Sequence, residues 1–103
     1  MTEVLAANPL PKWLELSDDG VTVTLFYKAN FSGVSVDKLV MRAPSVKDVE
    51  AAKAGAGGDY EKMEKSLFCS LLTATEAELT GLKYKDYKRL QAGYFRLVEE
   101  DDV

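Results

Sequence analysis

The spacing of apolar residues changes once along this chain, at the segment Arg42-Ala43-Pro44-Ser45. Before this segment apolar residues mostly alternate with polar ones, which is the period of a β-strand. After it they recur every three or four residues, which is the period of a helix. Pro44 cannot donate a hydrogen bond to a sheet, so the strand region must end close to it. The sequence therefore predicts an α+β fold with the strands first and the helices after them.

Two strands are expected before Pro44. The turn signal Asp18-Asp19-Gly20 precedes an alternating stretch from Val21 to Ala29, and residues 30–33 supply a second turn. The inward-facing residues of the second strand are expected to be Val34, Val36, Leu39 and Met41. The step of three residues inside this set would be explained by a bulge near Asp37-Lys38 that adds one residue to the strand. We expect an antiparallel β-hairpin whose apolar face is covered by the helices that follow, because a lone hairpin is only marginally stable.

Three to four short helices are expected after the hairpin. Ser45 and Asp48 have the spacing of a capping box, and Thr75 and Glu78 have it again. The glycines of the segment "GAGG", residues 55–58, predict the end of the first helix. In that helix Val46, Val49 and Ala52 are expected to share one face, and Asp59 is a suitable cap for the second helix.

The last helix is expected to carry an apolar stripe on one side. Its members are Tyr84, Tyr87, Leu90, Tyr94 and Leu97. Gly93 lies in the same helix and lowers its stability by about 1 kcal/mol relative to Ala. Either the backbone approaches another part of the protein closely at Gly93, or the helix bends there.

The chain length of 103 residues suits one domain. Pro9 and Pro11 indicate an extended N-terminal arm over residues 1–16, whose first eight residues we expect to be disordered. Trp13 makes this arm apolar, so it is expected to dock on its own domain or on a partner. Residues 17–98 form the predicted α+β domain, and residues 99–103 form an acidic C-terminal tail.

The composition argues against several classes of function. The chain has no histidine and a single cysteine, Cys69, so a histidine-activated nucleophile, a zinc site and an internal disulfide are not expected. The carboxylates of Glu61 and Glu64 are read as part of a solvated face rather than a catalytic pair. A net charge of -4 argues against nucleic acid as a partner, and no segment reaches the roughly 18 apolar residues of a membrane span. We expect a non-enzymatic cytoplasmic protein without a cofactor or metal.

The chain is rich in aromatic residues for a small core, with five Tyr, four Phe and one Trp. At least some of these side chains are expected at the surface, where aromatic residues commonly contribute to protein interfaces. The alternative is packing against the N-terminal arm. The residues expected to contact a partner are Phe68, Tyr84, Tyr87, Gln91, Tyr94 and Phe95.

Two motifs in this order resemble the tail assembly chaperones of Mu-like phages and related prophages. The segment "LVMRAPSVKDVEAAKAGAGGD" is similar to the family's Leu-x-Leu-Arg-x-Pro-Thr-x-x-Asp-x-x-x-Ala pattern with its following Gly-Gly-Asp. The segment "GLKYKDYKRLQAGYFRL" is similar to its closing Leu-x-x-x-Asp-Tyr-x-x-Leu-Gln pattern. The matching positions are Leu39, Met41, Arg42, Pro44, Ser45, Asp48 and Ala52, then Leu82, Asp86, Tyr87, Leu90 and Gln91. Met41 and Ser45 are mild departures from the first pattern. The resemblance as a whole covers about residues 21–95.

The resemblance implies a small protein of the host bacterial cytoplasm that binds the long tape measure protein and keeps it soluble. It also implies the tail tube protein as a second partner. We hypothesise that apolar grooves between the hairpin and the last helix hold amphipathic helical segments of the tape measure, and that several copies assemble along one such chain. The alternatives are a structural tail or head-tail connector subunit retained in the particle, and a small-molecule binder or enzyme.

The first motif is interpreted as structural, with Arg42 as its open case. Arg42 is expected to form an ion pair with Asp48 or another acid near the helix start. The alternative is direct contact with a partner.

Overall fold

The computed structural model of the chain describes residues 10–99, which form three strands followed by four helices. The strands are β1 (Leu14–Leu16), β2 (Gly20–Phe31) and β3 (Val34–Arg42). The helices are α1 (Val46–Ala56), α2 (Tyr60–Leu72), α3 (Glu76–Thr80) and α4 (Tyr84–Val98). This order confirms the predicted α+β fold. The predicted disorder of residues 1–8 and nearly all of the acidic tail lie outside the described residues.

The sheet is antiparallel throughout, with strand order β1-β2-β3. The predicted hairpin is β2–β3, and its two-residue turn places Ser32 and Gly33 at φ 57° and 77°, as hairpin turns of this length require. Strand β1 is an addition to the predicted sheet. It lies inside the segment expected to be an extended arm, and Leu14 pairs with Val23 of β2. The described part of the arm therefore docks on its own domain.

The hairpin contains a large bulge. Thr24 pairs with Lys38 and Ala29 pairs with Val36, so residues 25–28 of β2 lie opposite Asp37 alone. The sequence predicted an irregularity at Asp37-Lys38, but the prediction that β3 carries the extra residue is wrong. The irregular spacing in β3 correctly located the bulge along the hairpin, but the additional residues belong to β2.

The helices cover the inner face of the sheet. Strand β2 packs against α4, β3 packs against α2, and α1 packs on α2. Leu39 and Met41 are buried as predicted, whereas Val34 is exposed because it flanks the hairpin turn. Val46 is also exposed, although the helical spacing placed it on the inward face with Ala52.

The ends of the helices follow the local sequence signals. Ser45 with Asp48 and Thr75 with Glu78 both form complete capping boxes. Gly57 ends α1 in the left-handed conformation, and the Asp59 side chain accepts hydrogen bonds at the start of α2. No helix within residues 10–99 is both long and apolar enough to span a membrane.

At Gly93 the backbone of α4 lies close to the sheet. A Cβ atom at this position would lie 3.3 Å from side-chain carbons of Leu14, Val21 and Val23. The close approach predicted as one explanation for this glycine is therefore present. At this point α4 packs directly on strands β1 and β2 of the sheet.

Candidate functional site

An open groove of about 510 Å³ lies between α2, α3 and α4. Its lining residues come from the first turns of α2, from α3 and the loop after it, and from the first half of α4. They are Tyr60, Glu61, Glu64, Lys65, Leu79, Thr80, Leu82, Tyr84, Tyr87 and Gln91. The groove therefore combines three tyrosine rings and two leucines with a small number of charged groups.

Helical spacing explains how these side chains come to share one groove. Tyr60 and Glu64 are one turn apart on α2, and Tyr84, Tyr87 and Gln91 follow one another at three- and four-residue steps on α4. The rings of Tyr60 and Tyr84, at the first positions of their helices, are 57% and 72% exposed and form the rim. The buried side chain of Leu79 contributes an apolar wall from α3.

Glu64 organises the inner wall of the groove. Its Oε1 atom accepts a hydrogen bond of 2.7 Å from the Tyr87 hydroxyl and one of 2.9 Å from Nε2 of Gln91. Burial raises the pKa of Tyr87 above its ordinary value, and the hydrogen bond to Glu64 raises it further. The side chains of Tyr87 and Gln91 are therefore held in place by an acid from the neighbouring helix.

The burial of Glu64 corrects the sequence interpretation, which placed this residue on a solvated face. Glu64 is only 7% exposed. Its position on α2 gave a usable signal, because Tyr60, Glu64, Leu67 and Leu71 recur at four- and three-residue steps. An acid inside an apolar stripe of this kind is expected to find hydrogen-bond donors on the packed helix.

Five of the six residues predicted to contact a partner take three different positions. Tyr84, Tyr87 and Gln91 line the groove. Phe95 is 45% exposed, and it follows Tyr84 by eleven residues, close to three helical turns, so it continues the same face of α4. Tyr94 is half-buried, and burial raises the pKa of its hydroxyl.

Phe68 is the exception among these residues. It is fully buried, with its ring centroid 5.7 Å from that of Tyr87 and 5.4 Å from that of Tyr94. It therefore cannot reach a partner in this arrangement. Its ring supports the two tyrosines from the core side instead.

Within residues 10–99 the last helix and the hairpin are in direct contact. Asp86, in the first turn of α4, accepts hydrogen bonds from the backbone amides of Phe26 and Tyr27 in the β2 bulge, at 2.6 and 2.9 Å. Arg89 donates to the Thr24 carbonyl at 2.7 Å and lies over the Trp13 ring. The groove lies on the other side of α4, which corrects the hypothesis that placed it beside the hairpin.

Arg42 forms the ion pair that the sequence predicted. Its Nη1 and Nη2 atoms donate to the two carboxylate oxygens of Asp48 at 2.6 and 3.1 Å. Asp48 also accepts from the backbone amide of Ser45. Arg42 and Ser45 both lower the pKa of the Asp48 carboxyl well below its ordinary range. The corner between sheet and helix is thus fixed by these three residues.

Comparison with known proteins shows the family of the chain. A family model described as "Phage tail assembly chaperone proteins, E, or 41 or 14" matches residues 22–99, which include most of β2, all of β3 and the helices α1 to α4. No curated protein and no solved structure matches the chain significantly. The match contains both motifs that carried the resemblance, and every residue that lines the groove.

Proposed function

Because this chain belongs to the family of phage tail assembly chaperone proteins E, or 41 or 14, we propose that it binds the tape measure protein and keeps it soluble during tail assembly. The role is non-enzymatic and takes place in the cytoplasm of the host bacterium. The tail tube protein is a second proposed partner.

The observation that carries this proposal is the face formed by the groove together with the exposed side of α4. Tyr84, Gln91, Phe95 and Val98 recur along this helix at steps of seven, four and three residues, which keeps them on one side of it. Phe95 and Val98 are each 45% exposed. The helix is about 22 Å long at 1.5 Å per residue, so a partner helix of four turns would contact the whole face.

An amphipathic helix of the tape measure would cover this face with its own apolar side. Helix-in-groove recognition places partner residues at three- and four-residue spacing against such a surface. While the chaperone occupies these segments, their apolar residues cannot associate with those of another tape measure chain. Several chaperone copies on one long tape measure would add weak contacts into stable binding.

Co-expression with the tape measure protein encoded by the same phage tests the proposal. We expect more soluble tape measure in the presence of the chain, and a complex that elutes as one species in size-exclusion chromatography. Equal solubility with and without the chain, and no complex, would contradict the proposal. Recovery of the chain from purified phage particles would instead favour the structural connector alternative.

A further inference from the structure

Among the charged residues that line the groove, only Glu64 is buried, and the protein satisfies only one of its two carboxylate oxygens. Both hydrogen bonds to Glu64, from Tyr87 and Gln91, go to its Oε1 atom. No described residue donates to Oε2, and no lysine or arginine within residues 10–99 forms an ion pair with Glu64. Among the described residues no fully buried side-chain oxygen lacks a partner, so Oε2 reaches solvent. Because Glu64 lines the groove, we infer that this is the surface on which Oε2 is accessible.

The other charged residues that line the groove do not neutralise the negative charge of Glu64. The lining residues carry two carboxylates, on Glu61 and Glu64, against the single ammonium of Lys65. A partner that covered the groove with apolar side chains alone would remove water from Oε2 and leave a carboxylate without a counterion, which is costly. A partner that brought a positive charge would avoid this cost.

From these observations we propose that the groove selects partner helices that place a lysine or arginine within their apolar face. This inference rests on the proposed function and specifies the chemistry of the segment that is bound. The aliphatic part of such a side chain would lie against Tyr60 and Tyr87 while its charged end reaches Oε2 of Glu64. The tyrosine rings add a favourable surface for the cation. Glu64 contributes mainly to specificity, because a partner helix without a basic residue would bury its carboxylate without a counterion.

The test uses 20-residue peptides that overlap along the tape measure protein, with binding to the full chain measured by fluorescence anisotropy. We expect the binding peptides to carry a lysine or arginine among apolar residues at helical spacing. Replacing that residue by methionine should weaken binding to the wild-type chain at least tenfold. This substitution leaves the chaperone unchanged, so its result does not depend on the folding of a variant.

The complementary variant is Glu64→Gln, which keeps the shape of the side chain and an oxygen that accepts from Tyr87 and Gln91. We expect it to bind the cationic peptide at least tenfold more weakly. It should no longer distinguish that peptide from its methionine version. Glu50→Gln is the matched control: it removes the same charge from an exposed residue of α1, which contributes no lining residue to the groove, and we expect less than a threefold change.

The outcomes separate the inference from the proposed function. If wild-type chain and Glu64→Gln bind the same peptides with equal affinity, or the bound peptides lack basic residues, the inference is overturned and the chaperone role stands. If neither the peptides nor the full-length tape measure bind the wild-type chain, the proposed function fails and the inference fails with it.

Discussion

The carboxylate of Asp86 accepts a hydrogen bond of 2.6 Å from the backbone amide of Phe26. The second oxygen accepts from the amide of Tyr27 at 2.9 Å, so two backbone amides of the β2 bulge find their acceptor in one side chain. Asp86 is itself fully buried. One side chain thereby joins the start of α4 to the hairpin and fixes the side of α4 on which the groove is open.

Replacing Asp86 by Ala should lower the free energy of unfolding by about 3 kcal/mol, because two backbone amides would lose their acceptor. Urea denaturation measures this change, and hydrogen exchange at Phe26 and Tyr27 should become faster. Asp37→Ala is the control, because that exposed carboxylate lies opposite the bulge and accepts no hydrogen bond from a described residue. Equal stability of Asp86→Ala and the wild type would contradict the structural role.

Gly93→Ala and Gly55→Ala should change stability in opposite directions. Alanine favours a helix over glycine by about 1 kcal/mol at either position. At Gly93 the new methyl group would lie 3.3 Å from three side chains at once, two of them stiff valines, and we expect a net loss of about 1 kcal/mol. At Gly55 nothing lies within 4 Å, so the propensity gain remains. Thermal melting distinguishes the two, and stabilisation by Gly93→Ala would contradict close packing there.

The ion pair of Arg42 and Asp48 should make the fold sensitive to acid. The pKa of Asp48 is lower in the folded protein than its ordinary value, so its contribution is complete above about pH 4 and is lost as the pH falls below that. We expect stability to decrease less steeply on acidification in Asp48→Ala than in the wild type. Glu78, whose pKa is lowered by the amides of Ser32 and Thr75, should leave some acid dependence in that variant. If stability depended on pH in the same way in both proteins, the ion pair of Arg42 and Asp48 would make no contribution to stability.

Tyr87→Phe should reduce stability by about 1 to 2 kcal/mol, because it removes a hydrogen bond to a charged acceptor, Oε1 of Glu64. The raised pKa of Tyr87 means that this contribution is present below about pH 10 and is lost as the pH rises further. Absorbance titration of tyrosinate should reveal one tyrosine that ionises last, and it should be missing in the variant. Tyr84→Phe removes an exposed hydroxyl with no such bond and should leave stability unchanged.

Phe95→Ser should weaken binding of the tape measure protein about tenfold, equivalent to about 1.4 kcal/mol, without changing the fold. The reason is that Phe95 continues the exposed face of α4 beyond the groove. Val46→Ser is the control, because Val46 is a 75% exposed apolar residue on α1, which contributes no lining residue to the groove. If both variants bind with wild-type affinity, the partner does not extend along α4 as far as Phe95.

Much of the fold followed from the sequence because the relevant signals act over a few residues. The capping box of Ser45 and Asp48 and the left-handed Gly57 involve backbone groups within one helical turn, so local chemistry predicted them. The β2 bulge was assigned to the wrong strand because a break in alternation shows that two strands lose register, but not which of them has the extra residues.

The candidate site was predicted in part. Tyr84, Tyr87 and Gln91 were identified and line one groove, whereas Glu64 and Tyr60, which also line it, were not identified. Phe68 was expected at a surface and is buried. Aromatic composition predicts that a surface for partners exists, but the burial of each ring depends on which helices pack together.

The sequence by itself determined the order of strands and helices, the ends of the helices and the Arg42–Asp48 pair, because these depend on residues close together in the chain. Tertiary structure decided which groups form hydrogen bonds with Asp86 and Glu64. Their hydrogen bonds connect residues 59 and 60 positions apart in one case, and 23 and 27 in the other. A carboxylate in a helical segment looks solvated until another element brings it buried donors. Only packing could place Asp86 under the bulge and Glu64 inside the groove.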